Sequence, residues 1–404
     1  MIPPVRIAAI GVFAVTYVAL ALGRLPGLRI DRAGIALVGA SLMLATGAMN
    51  LGSAARAIDF DTLALLLGMM IVVANLRLSG FFRLVAGWIV ATASRPLALL
   101  GAVTLAAGLF SAFLLNDAIC LVMTPLVIEI VRRLGRDPVP YLLAVAMAAN
   151  IGSAATITGN PQNILIGSFS QIPYGVFAAH LAPVAAAGLV LTVLLVAATH
   201  RAEFRGGARL AARPAPTHLH RPLAIKSVLV VLLMMAAFFA GAPPAEVALV
   251  AGAFMLLTRV ATRRIYREVD WPLLLMFAGL FVVVAGFEAA AIRPAALSAL
   301  TAEGLGRPWA LGAMTAALSN LVSNVPAVLV LRPFIDHMAE PRHAWLVVAM
   351  AATFAGNLTV LGSVANLIVV QLARAHGVEI GFWRHFRVGA PLTLLTLALG
   401  LWLL

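Results

Sequence analysis

Long apolar runs follow one another along the whole chain, and they decide what it can fold into. A run of about 20 apolar residues is long enough to cross the hydrocarbon core of a bilayer as a helix. Hydrophobic residues make up 63% of the 404 positions and charged residues 11%, which is more apolar surface than one core in water could bury. The sequence therefore predicts an all-α polytopic membrane protein. The runs cover residues 7–23, 33–50, 62–78, 97–131, 140–172, 177–199, 225–241, 243–259, 272–288, 308–335, 344–373 and 388–404.

The charged residues, the cysteine and the histidines exclude several functions. The net charge is +13, but the basic residues lie between apolar runs and not on one face of a domain, so we expect no nucleic-acid partner. The single cysteine, Cys120, excludes disulfides within the chain and cysteine-based metal centres. Three histidines, His200, His218 and His220, have no further ligands near them in sequence, so we expect no bound metal or cofactor.

Four of the runs are too long for one span, and each is interrupted. The runs at 97–131 and 308–335 carry polar residues at their middle, where a lipid-facing helix would not place them. Each of these two predicts a re-entrant helical hairpin with a polar tip. The runs at 140–172 and 344–373 are interrupted by glycine and polar residues, and each predicts a span that is broken inside the membrane.

The two halves of the chain repeat the same landmarks in the same order. Similar composition alone would not place Asn, Pro and Gly at constant spacing, so we interpret the matches as an internal repeat. The pattern predicts repeats at 1–199 and 225–404, joined by a basic cytoplasmic linker at 200–224. The matches are Asp59 and Gly68 with Asp270 and Gly279 (offset 211), Ser111, Asn116 and Pro125 with Ser319, Asn324 and Pro333 (offset 208), and 146–149, Thr156, Gly159 and Asn163 with 349–352, Thr359, Gly362 and Asn366 (offset 203).

The distribution of basic residues predicts the orientation of the halves, because short cytoplasmic loops retain Lys and Arg. With the N-terminus outside, the loops or span ends on the cytoplasmic side are 24–32, 77–95, 132–136, 201–226, 259–267 and 374–387. All but six of the 28 basic residues then lie inside. The six exceptions are Arg6, Arg56, Arg293, Arg307, Arg332 and Arg342. Five spans in each half is an odd number, which inverts the second repeat relative to the first.

The hairpin tips and the helix breaks predict one central binding site. Unwound segments survive inside a membrane only where they are buried in protein or line a cavity. In an inverted repeat the two tips meet near the midplane beside the two breaks. The predicted substrate-binding residues are Asn116, Thr156, Gly159, Asn160, Asn163, Ser323, Asn324, Thr359, Gly362, Ser363 and Asn366, with Thr158 and Gln162 beside them.

Amides and hydroxyls dominate this set, and Asp117 is the acid at the tips. Amides and hydroxyls both donate and accept, and helix N-termini at the breaks add donors, which suits an oxyanion or a neutral polyhydroxylated acid. Carbonyls freed at the breaks suit Na⁺. Val325 occupies the position of Asp117 in the second half. Asp117 is therefore the candidate group for proton or cation coupling. The alternative is a cap for the helix that follows it.

Two further charged pairs are suggested by position. Arg77 and Glu288 occupy equivalent positions at the offset of 211. Either they pair across the repeat interface, or each side chain extends separately to a span end, and we favour the second alternative. Glu129 with Arg132 or Arg133 has the spacing of an ordinary helix-end ion pair.

Four motifs together resemble one membrane-protein family. They are Asn116-Asp117-Ala118 to Thr124-Pro125, Ala149-Asn150-Ile151-Gly152-Ser153, Gly159-Asn160-Pro161-Gln162-Asn163 and Ser323-Asn324-Val325-Pro326. They look like the ion transporter superfamily, in its citrate-transporter-like branch, which includes arsenite and antimonite permeases, the pink-eyed dilution protein, silicon efflux transporters and sodium/proton antiporters. The resemblance implies inverted repeats, a scaffold and a transport domain, and elevator-like alternating access.

The tips depart from one part of that superfamily. Its dicarboxylate and sulfate members carry a Ser-Asn-Thr motif at each tip, where it binds substrate and shapes a sodium site. Here the second tip keeps Ser323 and Asn324 but has Val325, and the first reads Leu115-Asn116-Asp117. The departure disfavours sodium-coupled dicarboxylate transport and favours the arsenite permease side, with proton coupling.

We therefore expect a secondary active transporter of a small inorganic anion or oxyacid, with arsenite or antimonite efflux as the specific hypothesis and H⁺ or Na⁺ as coupling ion. The alternatives are a Na⁺/H⁺ antiporter and a sodium-coupled carboxylate or sulfate symporter, and more remotely an intramembrane hydrolase. We expect no enzyme activity. The expected partners are the lipid bilayer and a small-molecule or ion substrate, a homodimer is left open, and the expected location is a bacterial inner membrane, as a multi-pass protein.

Overall fold

The computed structural model describes residues 3–22, 29–205, 219–291 and 306–404, and the regular structure in these ranges is helical. Residues 206–218 of the predicted linker, with His218, residues 23–28 after the first apolar run, and Arg293 lie outside the described residues. Seven helices in the described ranges are long and apolar enough to cross a membrane. The prediction of an all-α multi-pass membrane protein is confirmed. The seven are Pro4–Leu22, Phe60–Leu78, Pro96–Phe113, Tyr174–Thr199, Arg221–Phe239, Trp271–Ala290 and Phe382–Leu403.

The helices follow the same order in the two halves. The first half contains α1 Pro4–Leu22, α2 Arg32–Ala45, α3 Leu51–Ala57, α4 Phe60–Leu78, α5 Phe81–Thr92, α6 Pro96–Phe113, α7 Asn116–Arg133, α8 Pro138–Ser153, α9 Pro161–Ser170, α10 Tyr174–Thr199 and α11 Arg201–Phe204. The described part of the second half contains α12 Arg221–Phe239, α13 Pro244–Leu256, α14 Thr262–Tyr266, α15 Trp271–Ala291, α16 Pro308–Val322, α17 Asn324–Ile335, α18 Pro341–Ala355, α19 Val364–Ala375 and α20 Phe382–Leu403.

Each half contains the predicted helical hairpin. Helices α6 and α7 form the first, and the extended residues Leu114 and Leu115 make its tip. Helices α16 and α17 form the second, and Ser323 alone joins them, with a φ of 79°. A positive φ is unusual for a residue that carries a side chain, so the second tip is a sharp and strained reversal.

Each half also contains the predicted broken span. Helices α8 and α9 are separated by a 3₁₀ turn, Ile157–Gly159, and helices α18 and α19 by another, Val360–Gly362. A side chain at Gly159 would meet the backbone of Ser153, which is why this position in the break needs glycine. The second segment of each broken span starts at a side-chain cap: Asn160 accepts from the Asn163 N–H at 2.8 Å, and Ser363 from the Ala365 N–H at 3.2 Å.

Two close helix crossings join the halves. Helix α4 packs along α13, and α15 packs along α2, so each crossing pairs a helix of one half with a helix of the other. A Cβ atom at Gly68 would meet the backbone of Ala248, and one at Gly279 would lie 2.7 Å from the Ala36 carbonyl carbon. The glycines that mark equivalent positions of the repeat therefore allow the same close contact twice.

The segment at 77–95, predicted as a loop or span end, contains a helix. Helix α5 begins after Gly80, which has a φ of 81°, and its residues Phe82, Ala86 and Ile89 are buried. Phe82 packs edge-on against Phe110 of the first hairpin, at 5.7 Å between ring centroids. At 12 residues α5 is too short to cross a bilayer, so it lies against the hairpin as an additional layer.

The charged pairs differ in part from the predictions. Arg77 pairs with Glu268, so it does not form the alternative pair with Glu288 across the repeat interface. Glu268 lies in the loop before α15, on the same side of the protein as the end of α4. The helix-end pair is confirmed for Arg133, which lies 2.5 Å from Glu129. Arg132 instead donates to the backbone carbonyl of His376 at 2.6 Å.

Candidate functional site

One cavity of about 590 Å³ reaches the tips of both hairpins. Asn116 and Asp117 line it from the first tip, and Ser323 and Asn324 line it from the second. The structure thus brings together tip residues that are more than 200 positions apart in sequence. Gln162 and Ser363, which lie at the starts of α9 and α19, complete its polar inner wall.

At the first tip, Asn116 is tied to its neighbours and Asp117 is not. The Asn116 side-chain oxygen accepts from the Asp117 backbone N–H at 2.9 Å, and its amide donates to Asn150 at 3.2 Å. Helix α7 begins without a side-chain cap, and in the described residues no backbone N–H donates to the Asp117 carboxylate. Asp117 therefore does not act as the helix cap that was its alternative role, and it is one of the residues that line the cavity.

At the second tip, Asn324 presents an unpartnered acceptor. Its side-chain oxygen is buried and has no hydrogen-bond partner among the described residues, although Asn324 lines the cavity. A buried acceptor without a partner is energetically costly. The hydroxyls of the equivalent residues Ser111 and Ser319, one turn before the tips, are also buried and unpartnered in the described part of the chain.

In the first break, the polar side chains satisfy backbone carbonyls. The Asn163 amide donates to the carbonyls of Thr156 at 2.9 Å and Ser153 at 3.2 Å. The Thr156 hydroxyl donates to the carbonyl of Ala112 on the first hairpin. The Thr158 hydroxyl lies 2.7 Å from the hydroxyl of Tyr174. These groups replace the hydrogen bonds that the broken helix loses.

The second break has the same connections at the offset of 203. The Asn366 amide donates to the carbonyls of Gly356 at 2.7 Å and Thr359 at 3.1 Å. The Thr359 hydroxyl lies 3.5 Å from Asn320 on the second hairpin. The predicted residues Thr156, Gly159, Asn160, Asn163, Thr359, Gly362 and Asn366 thus lie behind the cavity wall and do not line the cavity.

Asn150 connects the first half to the second break. Its amide donates to Asn357 at 2.9 Å and to Asn366 at 3.1 Å, and its oxygen accepts from Ser363 at 3.0 Å. Asn150 also accepts from Asn116, so it has four side-chain partners, and three of these lie in the other half. All of them are buried, so this network holds the first half against the second break.

Thr353 makes the reciprocal connection. It occupies the position of Asn150 at the offset of 203, and its hydroxyl accepts from Gln162 at 3.1 Å and Asn160 at 3.3 Å. Thr353 has no predicted role, and Asn150 is predicted only as part of a family motif. The signal that identifies them is a polar residue at one repeat position in both apolar halves.

The mouth of the cavity contains charged residues that sequence analysis did not assign to the site. Asp31 and Asp270 line it and cap the helices that begin there, accepting from the N–H of Gly34 at 2.8 Å and of Leu273 at 3.0 Å. Arg32 lines the cavity beside them.

Comparison with known proteins identifies similar transporters. The sequence profile of the family described as "Citrate transporter" matches residues 17–355. An uncharacterized transporter of Mycobacterium tuberculosis is 32% identical over 428 residues, which cover 98% of this chain and 98% of that protein. The silicon efflux transporter LSI3 of Oryza sativa subsp. japonica is 28% identical over 462 residues, which cover 96% of this chain and 95% of the rice protein.

A solved structure has the same fold. The structure of the YdaH transporter of Alcanivorax borkumensis superposes with a TM-score of 0.62, over 99% of this chain and 97% of that chain. The two sequences are 16% identical, so this comparison concerns the fold alone. The similarity to a bacterial transporter over 98% of both chains agrees with a cell-membrane location.

Proposed function

Since the chain belongs to the citrate transporter family, we propose that this membrane transporter is a proton-coupled secondary transporter of a small inorganic anion or oxyacid. The specific function we propose is efflux of arsenite or antimonite. The observation that carries the proposal is the single cavity lined by both hairpin tips and by Asp117. A site shared by two structurally equivalent hairpins is suited to alternating access, because each half can open it to one side of the membrane.

The charges of the cavity favour an uncharged oxyacid over a multiply charged anion. Among the described residues that line it, the carboxylates Asp31, Asp117 and Asp270 face one guanidinium, Arg32. A dianion would meet net repulsion there. Arsenous, antimonous and silicic acids are uncharged at neutral pH, and their hydroxyls donate to and accept from the amides and hydroxyls of the tips. The similarity to a silicon efflux transporter supports this class of substrate.

Asp117 is the residue proposed to carry the coupled proton. Its carboxylate lines the cavity and does not cap a helix, so it is available to bind and release a proton as the cavity opens. The equivalent position in the second half is Val325, so only one half supplies the group. Asp270 lines the same cavity and is exposed, so it offers a second carboxylate between the cavity and the solution.

The other predicted site residues are proposed to act from behind the wall. Thr156, Asn163, Thr359 and Asn366 hold the breaks in a conformation that leaves the helix starts facing the cavity. The two hairpins and two broken spans then form a transport domain that moves against the scaffold of α2, α4, α13 and α15, in inverted repeats at 1–199 and 225–404.

The proposal is tested by transport into proteoliposomes under an imposed pH gradient. Arsenite, antimonite and silicic acid are compared with phosphate, sulfate, citrate and Na⁺. We expect gradient-driven flux of one or more neutral acids by the wild-type protein and none by Asp117→Asn. Asp61→Asn, an exposed acid on α4, is the matched control and keeps wild-type flux. Gradient-driven flux by Asp117→Asn at the wild-type rate would overturn the coupling role.

A Na⁺/H⁺ antiporter is the second candidate, and the acid excess of the same cavity favours it. Asp117 and Asp270 both line the cavity, and two carboxylates can exchange protons for a cation. The assay separates the two candidates, since an antiporter moves protons when Na⁺ alone is added.

A further inference from the structure

Asp59 and Ser168 form a hydrogen bond in the first half that has no counterpart at the equivalent described positions of the second half. Asp59 caps α4 by accepting from the Thr62 N–H at 3.0 Å with one carboxylate oxygen. Its second oxygen accepts from the Ser168 hydroxyl at 2.5 Å. Ser168 lies on α9, the second segment of the first broken span. The contact therefore joins a helix of the scaffold to an element of the transport domain.

The repeat places a second pair at the equivalent positions. Asp270 corresponds to Asp59 at the offset of 211, and it caps α15 in the same way. Gln371 corresponds to Ser168 at the offset of 203 and lies on α19. Both line the cavity, and the described residues contain no hydrogen bond between them. The same pair of positions is thus joined in one half and separated in the other.

We propose that Asp59 with Ser168 and Asp270 with Gln371 are two alternating gates of the transport path. In the described state the first gate is closed and the second is open. In the opposite state Gln371 donates its amide to the free oxygen of Asp270, and Ser168 releases Asp59. The inference rests on the proposed transport function and names the residues that hold each of its two end states.

The chemistry of both pairs fits this exchange. Each carboxylate uses one oxygen for its helix cap and keeps the other for its partner, so neither gate disturbs the helix start when it opens. Ser168 and Gln371 both carry a hydrogen-bond donor. A hydrogen bond to a charged group is stronger than a neutral one, so one such bond can bias a two-state equilibrium.

The packing beside the first gate agrees with a sealed side. Phe169, the neighbour of Ser168, packs against Phe281 at 6.4 Å and Trp345 at 6.1 Å between ring centroids. The guanidinium of Arg332 lies 4.0 Å from the centre of the same ring. Helix α4 also packs against α9, whereas the cavity lies between the equivalent residues of α15 and α19.

The test measures cysteine accessibility in lipid nanodiscs, in a Cys120→Ser background that removes the one native thiol. Ile164→Cys is the reporter, since Ile164 is fully buried and lies one turn before Ser168 on the same face of α9. Leu367→Cys, its equivalent in the cavity wall, is the accessible reference. We expect Ser168→Ala to raise the labelling rate at Ile164→Cys about tenfold, the effect of losing one hydrogen bond to a charged group. Asp61→Asn, on the same turn as Asp59, leaves that rate unchanged.

A double substitution distinguishes a gate from local loosening. If the second gate stabilises the opposite state, adding Gln371→Ala to Ser168→Ala returns the labelling rate toward the wild-type value. A Ser168→Ala rate equal to wild type, or one that Gln371→Ala does not lower, overturns the proposal. Labelling needs no substrate, so a wrong substrate assignment would leave this result intact, and failed gating would leave flux through the proposed site intact.

Discussion

Asn150 and Thr353 occupy the same position in the two halves, and each bonds to the other half. Asn150 bonds to three residues at the second break, and Thr353 accepts from two residues at the first. The amide has two donors and an acceptor, whereas the hydroxyl accepts both bonds on one oxygen. Both repeat positions are therefore polar, and the residue at each one matches the hydrogen-bond donors and acceptors of the opposite break.

Replacing Asn150 with leucine is expected to destabilise the protein strongly. The substitution leaves Asn116, Asn357, Asn366 and Ser363 with unmet hydrogen-bonding groups in a buried network. Each unsatisfied buried group costs about 1–3 kcal/mol, so we expect a loss of at least about 3 kcal/mol. Thermal unfolding in detergent measures it as a large fall in the melting temperature.

Asn75→Leu is the matched control. Asn75 is also fully buried, but its amide donates only to the Ile71 carbonyl one turn back at 2.9 Å, and its oxygen has no partner among the described residues. Removing an orphaned polar group is neutral or stabilising, so the melting temperature should stay equal or rise. Equal destabilisation by the two substitutions would show that the Asn150 network contributes nothing beyond burial.

Sequence predicted which polar residues are buried, but not which way they face. A polar side chain in an apolar run must find partners, so the tips and breaks are detectable from the printed sequence. Whether an amide such as Asn163 turns to a cavity or to a freed carbonyl depends on packing of distant segments. For the same reason Asp270 was identified as a repeat landmark, but its place at the cavity mouth was not.

At the scale of elements, the hairpins and broken spans are predicted from the sequence, whereas the short amphipathic helix α5 is not. The hairpins and broken spans follow from polar or glycine residues inside long apolar runs, which a bilayer forbids unless the chain turns. Helix α5 was missed because Arg83 and its neighbours were read as a cytoplasmic loop. Its buried residues Phe82, Ala86 and Ile89 have helical spacing, a signal that charge counting overlooks.

The two glycine crossings give an element-scale prediction. Gly68→Ala would push a methyl group into the backbone of Ala248, and backbone cannot move aside as a flexible side chain can. We expect a loss of about 2 kcal/mol from overpacking of α4 against α13. Gly101→Ala in α6 is the control, because a Cβ there meets nothing within 4 Å. It should be neutral or stabilising by about 0.5–1 kcal/mol, since alanine is the better helix former.

Thermal unfolding of both variants measures the difference. A Gly68→Ala protein as stable as Gly101→Ala would mean that the helices separate at little cost, and the scaffold would then not be the rigid partner of the transport domain.

At the scale of the whole molecule, the observed contacts join segments that the distribution of basic residues predicts on the same side of the membrane. Arg77 pairs with Glu268, and Arg132 with the loop at His376, and all of these segments were predicted inside. Phe169 and Arg332 meet on the face predicted outside. The cavity opens beside Asp31 and Asp270, whose segments were predicted on the inner side, so the described state is proposed to face the cytoplasm.

The inversion of the halves predicts opposite labelling of two equivalent loops. Arg133→Cys lies at the end of the first hairpin and Ala339→Cys in the loop after the second, and both side chains are exposed. In the Cys120→Ser background, a membrane-impermeant maleimide added to intact bacterial cells should label Ala339→Cys. It should label Arg133→Cys only after the cells are permeabilised. Loss of the exposed ion pair of Arg133 with Glu129 costs little, so folding is preserved.

The pattern of labelling decides between topologies, because each one gives a different result. Labelling of both cysteines in intact cells, or of neither, would place the two loops on one face, and the halves would then be parallel repeats. Labelling of Arg133→Cys alone would keep the inversion and reverse the orientation, so that the cavity would open to the outside. Labelling of Ala339→Cys alone makes the described state inward-facing, and the first gate at Asp59 is then the barrier that a substrate must pass to leave the cell.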